Sequence, residues 1–209
     1  MKQIAEALLN IKAVALSPDQ PFTWASGIKS PIYTDNRLIL SYPKERQLVE
    51  DTLAETIRRE FPEVECLMGT ATAGIPHAAI CAWEMGLPMG FVRSKAKDHG
   101  KENAIEGKYY PGQKVVVVED LISTGGSSLE VVKTLRSAGC DVIGLVSVFT
   151  YSMAKADKAI AEAQVKTISL TNYPELLEVA LEKNYIDEQS KGKLTAFMAN
   201  PSDESWMNG

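Results

Sequence analysis

Two adjacent carboxylates and a turn of small, hydroxylated residues follow a run of four valines in the segment VVVVEDLISTGGSS, from Val115 to Ser128. Such an unbroken β-branched run is typical of a strand buried on both faces of a parallel sheet, so Glu119 and Asp120 are expected at its carboxyl end. Ligands of open α/β sheets bind at that end. The turn at 123–127 precedes a predicted helix, whose N-terminal amides favour an anion. The segment therefore predicts a site for a phosphorylated sugar, in which the carboxylates bind hydroxyl groups.

The same segment resembles the ribose-phosphate signature of type I phosphoribosyltransferases. The resemblance implies that Glu119 and Asp120 hold the ribose hydroxyls of phosphoribosyl pyrophosphate (PRPP) and that the turn holds its terminal phosphate. The residues of this segment that are expected to contact PRPP are Glu119, Asp120, Leu121, Ile122, Ser123, Thr124, Gly125, Gly126 and Ser127. Asp120 is also expected to be one of the catalytic residues.

A second glycine-containing segment, GTATAGIP, argues against two classes of nucleotide-binding protein. Gly69 and Gly74 have the spacing of a P-loop, but Ile75 and Pro76 follow where a P-loop needs Lys and then Ser or Thr. The glycines also do not form the GxGxxG pattern of a dinucleotide-binding fold. By resemblance, 69–74 is the pyrophosphate-binding loop. Ala73 stands where enteric relatives carry a lysine, so the backbone amides of the loop are expected to bind the pyrophosphate.

The cationic segment RSKAKDHGKENAIEG, from Arg93 to Gly107, is the third candidate for chemistry. On charge alone it would be a solvated loop, but long polar loops inside compact domains are often lids. The segment resembles the catalytic loop of the family. That resemblance implies that Arg93, Lys97 and His99 contact the pyrophosphate, with Lys97 and His99 delivered by the neighbouring subunit of a homodimer. Whether Lys95 replaces a second lysine of some relatives is left open.

The composition fits one enzyme domain. The chain has 209 residues, of which 45% are hydrophobic and 23% charged. Its net charge of -5 argues against nucleic acid as a partner, and nothing approaches the ~20 apolar residues of a membrane-spanning helix. We therefore expect a cytoplasmic protein. Cys66, Cys81 and Cys140 are predicted to be core residues, and neither they nor the two histidines have the spacing of a zinc site; a packed or capping role is expected for His77.

Strands and helices alternate along the chain in a way that predicts an α/β fold with a central, mostly parallel sheet flanked by helices, as in the type I phosphoribosyltransferase fold. Strands are expected at 64–68, 88–92, 115–118, 142–149 and 165–170. Helices are expected near the amino terminus, at about 44–60, at 76–85, from about 128 to before 139, and at 153–164.

The segment PFTWASGIKSPIYTDNR, from Pro21 to Arg37, is aromatic and poorly periodic, and it resembles the amino-terminal hood of orotate phosphoribosyltransferases. We expect 1–42 to form the N-terminal helix and hood, 43–200 the α/β core, and 201–209 a tail that is either mobile or docked through Trp206. The resemblance implies orotate as the base, with Ser123 and Lys29 as its contacts. A solvated turn lysine is an equal alternative for Lys29.

Two positions depart from the enteric relatives at the base site. Ala25 stands where they carry a substrate-contacting lysine, and Thr150 lies near the position of an orotate-contacting arginine. Recognition of the orotate carboxylate must therefore use other residues than in those relatives.

The resemblance implies transfer of a phosphoribosyl group from PRPP to orotate, which gives orotidine 5′-monophosphate and pyrophosphate on the route to UMP. It also implies Mg2+, held mainly through PRPP, with no metal ligands assigned in the protein. Two alternatives stay open at this point: a purine phosphoribosyltransferase, and a non-enzymatic regulator that senses PRPP.

Overall fold

The computed structural model describes residues 1–23, 27–93 and 104–208. The chain divides into two compact units: Met1–Glu45 with Tyr173–Gly209, and Arg46–Asn172. The single domain expected from the sequence, with its boundaries after residues 42 and 200, stays a prediction.

The described residues form helices and strands in alternation through the second unit. The helices are α1 Lys2–Asn10, α2 Pro43–Glu60, α3 Gly74–Met85, α4 Gly126–Ser137, α5 Ala154–Glu162, α6 Tyr173–Glu182 and α7 Glu188–Ala199. The strands are β1 Val14–Leu16, β2 Phe22–Thr23, β3 Lys29–Ser30, β4 Ile32–Thr34, β5 Cys66–Thr70, β6 Met89–Val92, β7 Ile105–Glu106, β8 Lys114–Ile122, β9 Asp141–Thr150 and β10 Thr167–Asn172. None of these helices has both the length and the hydropathy needed to cross a membrane.

The second unit is built on a sheet that has six strands in the described residues, in the order β10-β9-β8-β5-β6-β7. The neighbouring strands run parallel, except for the antiparallel pair β6 and β7. The α/β class with a mostly parallel sheet, predicted from the sequence, is therefore confirmed. The carboxyl ends of β5, β6 and β8 lie at one edge of the sheet because these strands are parallel neighbours.

The valine run forms the centre of this sheet. Val115, Val116, Val117 and Val118 are all fully buried in β8. Successive side chains of a strand point to opposite faces, so both faces of β8 are covered. On one face, Val115 and Val117 belong to a core cluster that includes Val132 and Leu135 of α4.

The strand that carries the carboxylates is longer than predicted. It does not end at Val118, because pairing with β9 continues through Leu121 opposite Phe149 and Ile122 opposite Thr150. Glu119 and Asp120 therefore lie inside the paired part of β8, near its carboxyl end, rather than beyond it.

The first unit contains short antiparallel ribbons and three of the helices. β1 pairs with β4, and β2 pairs with β3, in the region predicted to form the hood. Helices α6 and α7 were not predicted. Trp206 is buried and its ring lies 5.7 Å from that of Phe197 on α7, as expected if the tail docks through this residue.

A buried polar cluster joins α2 to α3 in the second unit. Nδ1 of His77 lies 2.6 Å from Oε1 of Glu50, and Sγ of Cys81 lies 3.6 Å from Oε2 of the same carboxyl group. All three side chains are buried, as are Cys66 and Cys140. The packed role predicted for His77 and the core positions predicted for the cysteines are confirmed. The cluster anchors α3, which begins at Gly74, the last residue of the loop at 69–74.

Replacing His77 by leucine should leave the buried carboxyl of Glu50 without its nitrogen partner. We expect the free energy of unfolding, measured by urea denaturation, to fall by on the order of 3 kcal/mol. The matched control is Lys158→Ala, since Nζ of Lys158 lies 4.0 Å from Oε1 of Glu162 in a highly exposed pair. That change should cost less than about 0.5 kcal/mol. If a Glu50→Leu/His77→Leu double variant proved no more stable than His77→Leu, the unpaired carboxyl would not be the cause.

Candidate functional site

The carboxyl ends of three neighbouring strands are linked by hydrogen bonds at one edge of the sheet. The backbone N–H of Ala71, directly after β5, donates to the carbonyl oxygen of Val92 at the end of β6, at 3.1 Å. Oγ1 of Thr70, the last residue of β5, donates to Oε1 of Glu119 on β8, at 2.5 Å. The structure therefore brings the loop at 69–74 and the carboxylate segment together, as the positions of both at strand ends require.

Glu119 is enclosed by hydrogen-bond donors. Its Oε1 accepts from Thr70 and from the N–H of Asp120 at 3.0 Å, and its Oε2 accepts from Oγ of Ser128 at 2.8 Å. Only 5% of the residue is exposed. This burial raises the pKa of the Glu119 carboxyl from 4.5 to about 7; the neighbouring carboxyl of Asp120 adds to the rise, whereas the hydroxyls of Thr70 and Ser128 oppose it. Asp120 is the more exposed of the two carboxylates.

Gly74 allows the first turn of α3 to lie against this carboxylate segment. A Cβ atom at residue 74 would come within 2.4 Å of both Oγ1 of Thr70 and the carbonyl oxygen of Val118. Those distances are far below van der Waals contact, so a larger residue would push the loop away from β8. The glycine spacing that resembles a P-loop therefore has a steric reason here.

The turn after β8 presents the N-terminus of α4 to solvent. Gly125 has φ +79°, a left-handed conformation that suits glycine, and its carbonyl oxygen accepts from the N–H of Leu129 at 3.0 Å. Thr124, Gly126 and Ser127 are exposed, and no side chain of the described residues caps this helix end. The first amides of α4 are consequently not claimed by a cap, and they suit a phosphate group.

Two hydrophobic residues, Leu121 and Ile122, are among the predicted contacts of PRPP. Ile122 is buried, and its carbonyl oxygen accepts from the N–H of Tyr151 at 3.0 Å and from Oγ1 of Thr150 at 3.2 Å. Leu121 is half-buried. These contacts fix the direction of the chain as it enters the turn at Ser123, which is itself half-buried.

Arg93 stands at the start of the cationic segment, directly after β6. Its backbone N–H donates to the carbonyl oxygen of Ala104 at 2.9 Å, and its Nε lies 3.2 Å from Oε1 of Glu106 on β7. The two ends of the segment are thus joined at the edge of the sheet. The predicted contacts Lys97 and His99, and the open position Lys95, lie outside the described residues.

The structure places the predicted base contacts in different units. Lys29 lies on β3 of the first unit, and its Nζ donates to Oγ1 of Thr23 at 2.7 Å. Ser123 lies in the second unit, in the turn before α4. Of the two departures from the enteric relatives, Ala25 lies outside the described residues. Thr150 ends β9, and its Oγ1 accepts from the N–H of Ser152 at 3.1 Å.

The side-chain hydroxyls of Thr70 and Ser128 are the site groups whose role the sequence did not reveal. Their positions gave a partial signal, because Thr70 belongs to the predicted pyrophosphate-binding loop at 69–74 and Ser128 is the second serine of GGSS. Those positions do not show that both hydroxyls donate to Glu119. In the part of the chain that the structure describes, no group of three or more His, Cys, Asp or Glu residues is arranged to hold a metal ion.

Comparisons with known proteins agree on one family. The family model for the phosphoribosyl transferase domain matches residues 38–179. Orotate phosphoribosyltransferase of Listeria innocua is 57% identical over 98% of this chain and 97% of its own. Orotate phosphoribosyltransferase of Aeropyrum pernix has a similar structure, with a TM-score of 0.76 and 28% identity over 88% of this chain and 99% of its own. UMP synthase of Leishmania donovani has a TM-score of 0.81 and 30% identity; the match covers 95% of this chain but 42% of that protein.

The raised pKa of Glu119 predicts how stability depends on pH. The folded protein holds this proton up to about pH 7, whereas the unfolded chain releases it near 4.5. The stabilising contribution of the protonated group is therefore fully present below pH 4.5 and is lost as the pH rises through 7. Glu119→Gln keeps the group neutral, so the stability of the variant relative to wild type should rise by on the order of 3 kcal/mol between pH 5 and pH 8.

The measurement is urea unfolding of both proteins across this pH range. Glu162→Gln is the control, because that side chain is 68% exposed, and it should stay within about 0.5 kcal/mol of wild type throughout. A constant difference between Glu119→Gln and wild type at every pH would show that Glu119 does not titrate in this range.

Proposed function

The chain belongs to the phosphoribosyltransferase family and, within it, to the orotate phosphoribosyltransferases, and from that premise we propose how its residues transfer the phosphoribosyl group of PRPP to orotate. The products are orotidine 5′-monophosphate and pyrophosphate, in the biosynthesis of UMP. The observation that carries the proposal is the position of Glu119 and Asp120 between the loop at 69–74 and the open N-terminus of α4.

PRPP would be bound by three segments of the second unit. Its 5′-phosphate accepts hydrogen bonds from the backbone amides and hydroxyls of Ser123–Ser127, at the positive end of α4. The hydroxyl groups of its ribose donate to the carboxylates, chiefly to the more exposed Asp120. The pyrophosphate lies at the amides of the loop at 69–74 and near Arg93. In this proposal, each charged or polar part of PRPP is bound by one segment of the chain.

The reaction needs no nucleophile from the protein. A ring nitrogen of orotate forms a bond to C1 of the ribose and releases its proton to solvent, while the bond from C1 to the pyrophosphate oxygen breaks and pyrophosphate leaves with the bonding electron pair. Asp120 keeps the ribose oriented for this displacement. Magnesium bound to PRPP would neutralise the leaving group, and it would take most of its ligands from PRPP and water, which Mg2+ favours. Ser123, and Lys29 in the first unit, are proposed contacts of orotate.

The cationic segment from Arg93 to Gly107 is proposed to act on the neighbouring subunit. Lys97 and His99 would reach the pyrophosphate of the neighbouring subunit in a homodimer and stabilise the charge that develops on it. The support is the resemblance of the segment, together with its fixed ends at Arg93 and Ala104. The cytoplasmic location and the absence of a nucleic-acid partner, expected from the sequence, stay predictions.

The function is tested by mixing the purified protein with PRPP, Mg2+ and orotate and following the loss of orotate absorbance. We expect consumption of orotate that stops when EDTA is added, with no turnover of adenine or hypoxanthine in parallel reactions. Turnover of a purine instead would overturn the choice of base. Binding of PRPP without turnover of any base would favour a regulator that senses PRPP.

The action of Lys97 on the neighbouring subunit is tested by complementation between the variants Lys97→Ala and Asp120→Asn. Each variant alone should lose nearly all activity. A heterodimer purified through two different tags would hold one site with both native residues, so it should recover roughly half of the wild-type activity if the segment acts on the neighbouring subunit. If Lys97 acts within its own subunit, both sites carry a defect and the heterodimer should stay inactive.

A further inference from the structure

Three chain segments converge on the carboxyl group of Glu119. Thr70 donates from the end of β5, Ser128 donates from the first turn of α4, and the N–H of Asp120 donates from β8 itself. Thr70 lies near the start of the segment 69–74 that is proposed to bind pyrophosphate, and Ser128 directly follows the turn that is proposed to bind the 5′-phosphate. One carboxyl group thus joins the two segments that bind the two ends of the donor.

The hydrogen bonds from Thr70 and Ser128 to Glu119 are buried and sterically confined. Thr70 is 3% exposed, Glu119 5% and Ser128 0%, so water does not compete for these hydrogen bonds. Oγ1 of Thr70 is further confined by the backbone of α3, which approaches it at Gly74. Among the residues that the structure describes, the titratable group that faces Glu119 is Asp120 on the same strand. β5 and α4 present the two hydroxyls, and α3 presents its backbone at Gly74.

We propose that Thr70 and Ser128 are positioning residues for PRPP that act through Glu119. This inference rests on the proposed function and adds two residues to it. Their hydroxyls hold the carboxyl group in place between the two phosphate-binding segments and favour its ionised form, because hydrogen bonds donated to a carboxylate stabilise the charge. An ionised, oriented Glu119 supports Asp120 as an acceptor for the ribose hydroxyls. Loss of either hydroxyl should therefore weaken the binding of PRPP without contact between that hydroxyl and the donor.

The test is the affinity for PRPP with Mg2+, measured by calorimetry in the absence of any base. Thr70→Val keeps the shape of the side chain and removes the hydroxyl, and we expect the dissociation constant at pH 7 to rise about tenfold. Thr70→Ser, which keeps the hydroxyl, should bind PRPP as wild type does. The deficit of Thr70→Val should be smaller at pH 9 than at pH 7, because the higher pH favours the ionised form of Glu119 that this donor otherwise supports.

A double-mutant cycle separates this role from a general effect on folding. In an E119Q background, Thr70→Val should no longer change the dissociation constant, because its effect runs through the carboxylate. Ser128→Ala provides a second variant that should show the same pattern, should Thr70→Val not fold.

The outcomes distinguish this inference from the proposed function. If wild type binds PRPP and both hydroxyl variants bind it equally well, the inference is overturned and the proposed function stands. A loss of affinity that is equal at pH 7 and pH 9, or that persists in the E119Q background, also overturns it. If wild type does not bind PRPP, the proposed function and the inference fail together.

Discussion

The burial of one carboxyl group at the end of a parallel sheet is the constraint on which the rest of the site depends. An ionisable group removed from water is costly unless it is hydrogen-bonded, and Glu119 meets this requirement with donors from β5, α4 and its own strand. The donors can reach it only if the end of β5 and the first turn of α4 both lie against β8. Gly74 makes the first approach possible, and the left-handed Gly125 directs the chain into the second.

The residues proposed to bind PRPP lie in one unit of the chain, whereas of the two residues proposed to bind orotate one lies in each unit. The residues assigned to PRPP, including Thr70, Arg93 and Asp120, all lie in the second unit, and the family model covers all of that unit. Lys29, which the family resemblance connects with the base, lies in the first unit. Similarity to orotate phosphoribosyltransferases over nearly the whole chain therefore bears on the choice of base, whereas the match to the phosphoribosyl transferase domain bears on the donor.

Sequence patterns predicted the parallel strands because these are apolar runs bounded by turn residues, and the valine run of β8 is the clearest of them. They did not predict α6, since β10 runs directly into it at Tyr173 without a turn. They did not predict α7 either, because its first six residues include Gly192 and no apolar residue. The partners of Glu119 were missed for another reason. Thr70 is 49 positions away in sequence, and a local pattern carries no information about such a contact.

The cysteines have a practical consequence. All three are buried, and burial raises the pKa of Cys66 to about 11 and that of Cys81 still further. Thiols in such surroundings react slowly with alkylating reagents, since the thiolate is the reactive form. A cysteine introduced at a solvent-facing position, such as residue 83, where the native tryptophan is 85% exposed, would be modified in preference to the native thiols. The native sequence thus suits site-specific attachment of fluorophores or spin labels without prior removal of its own cysteines.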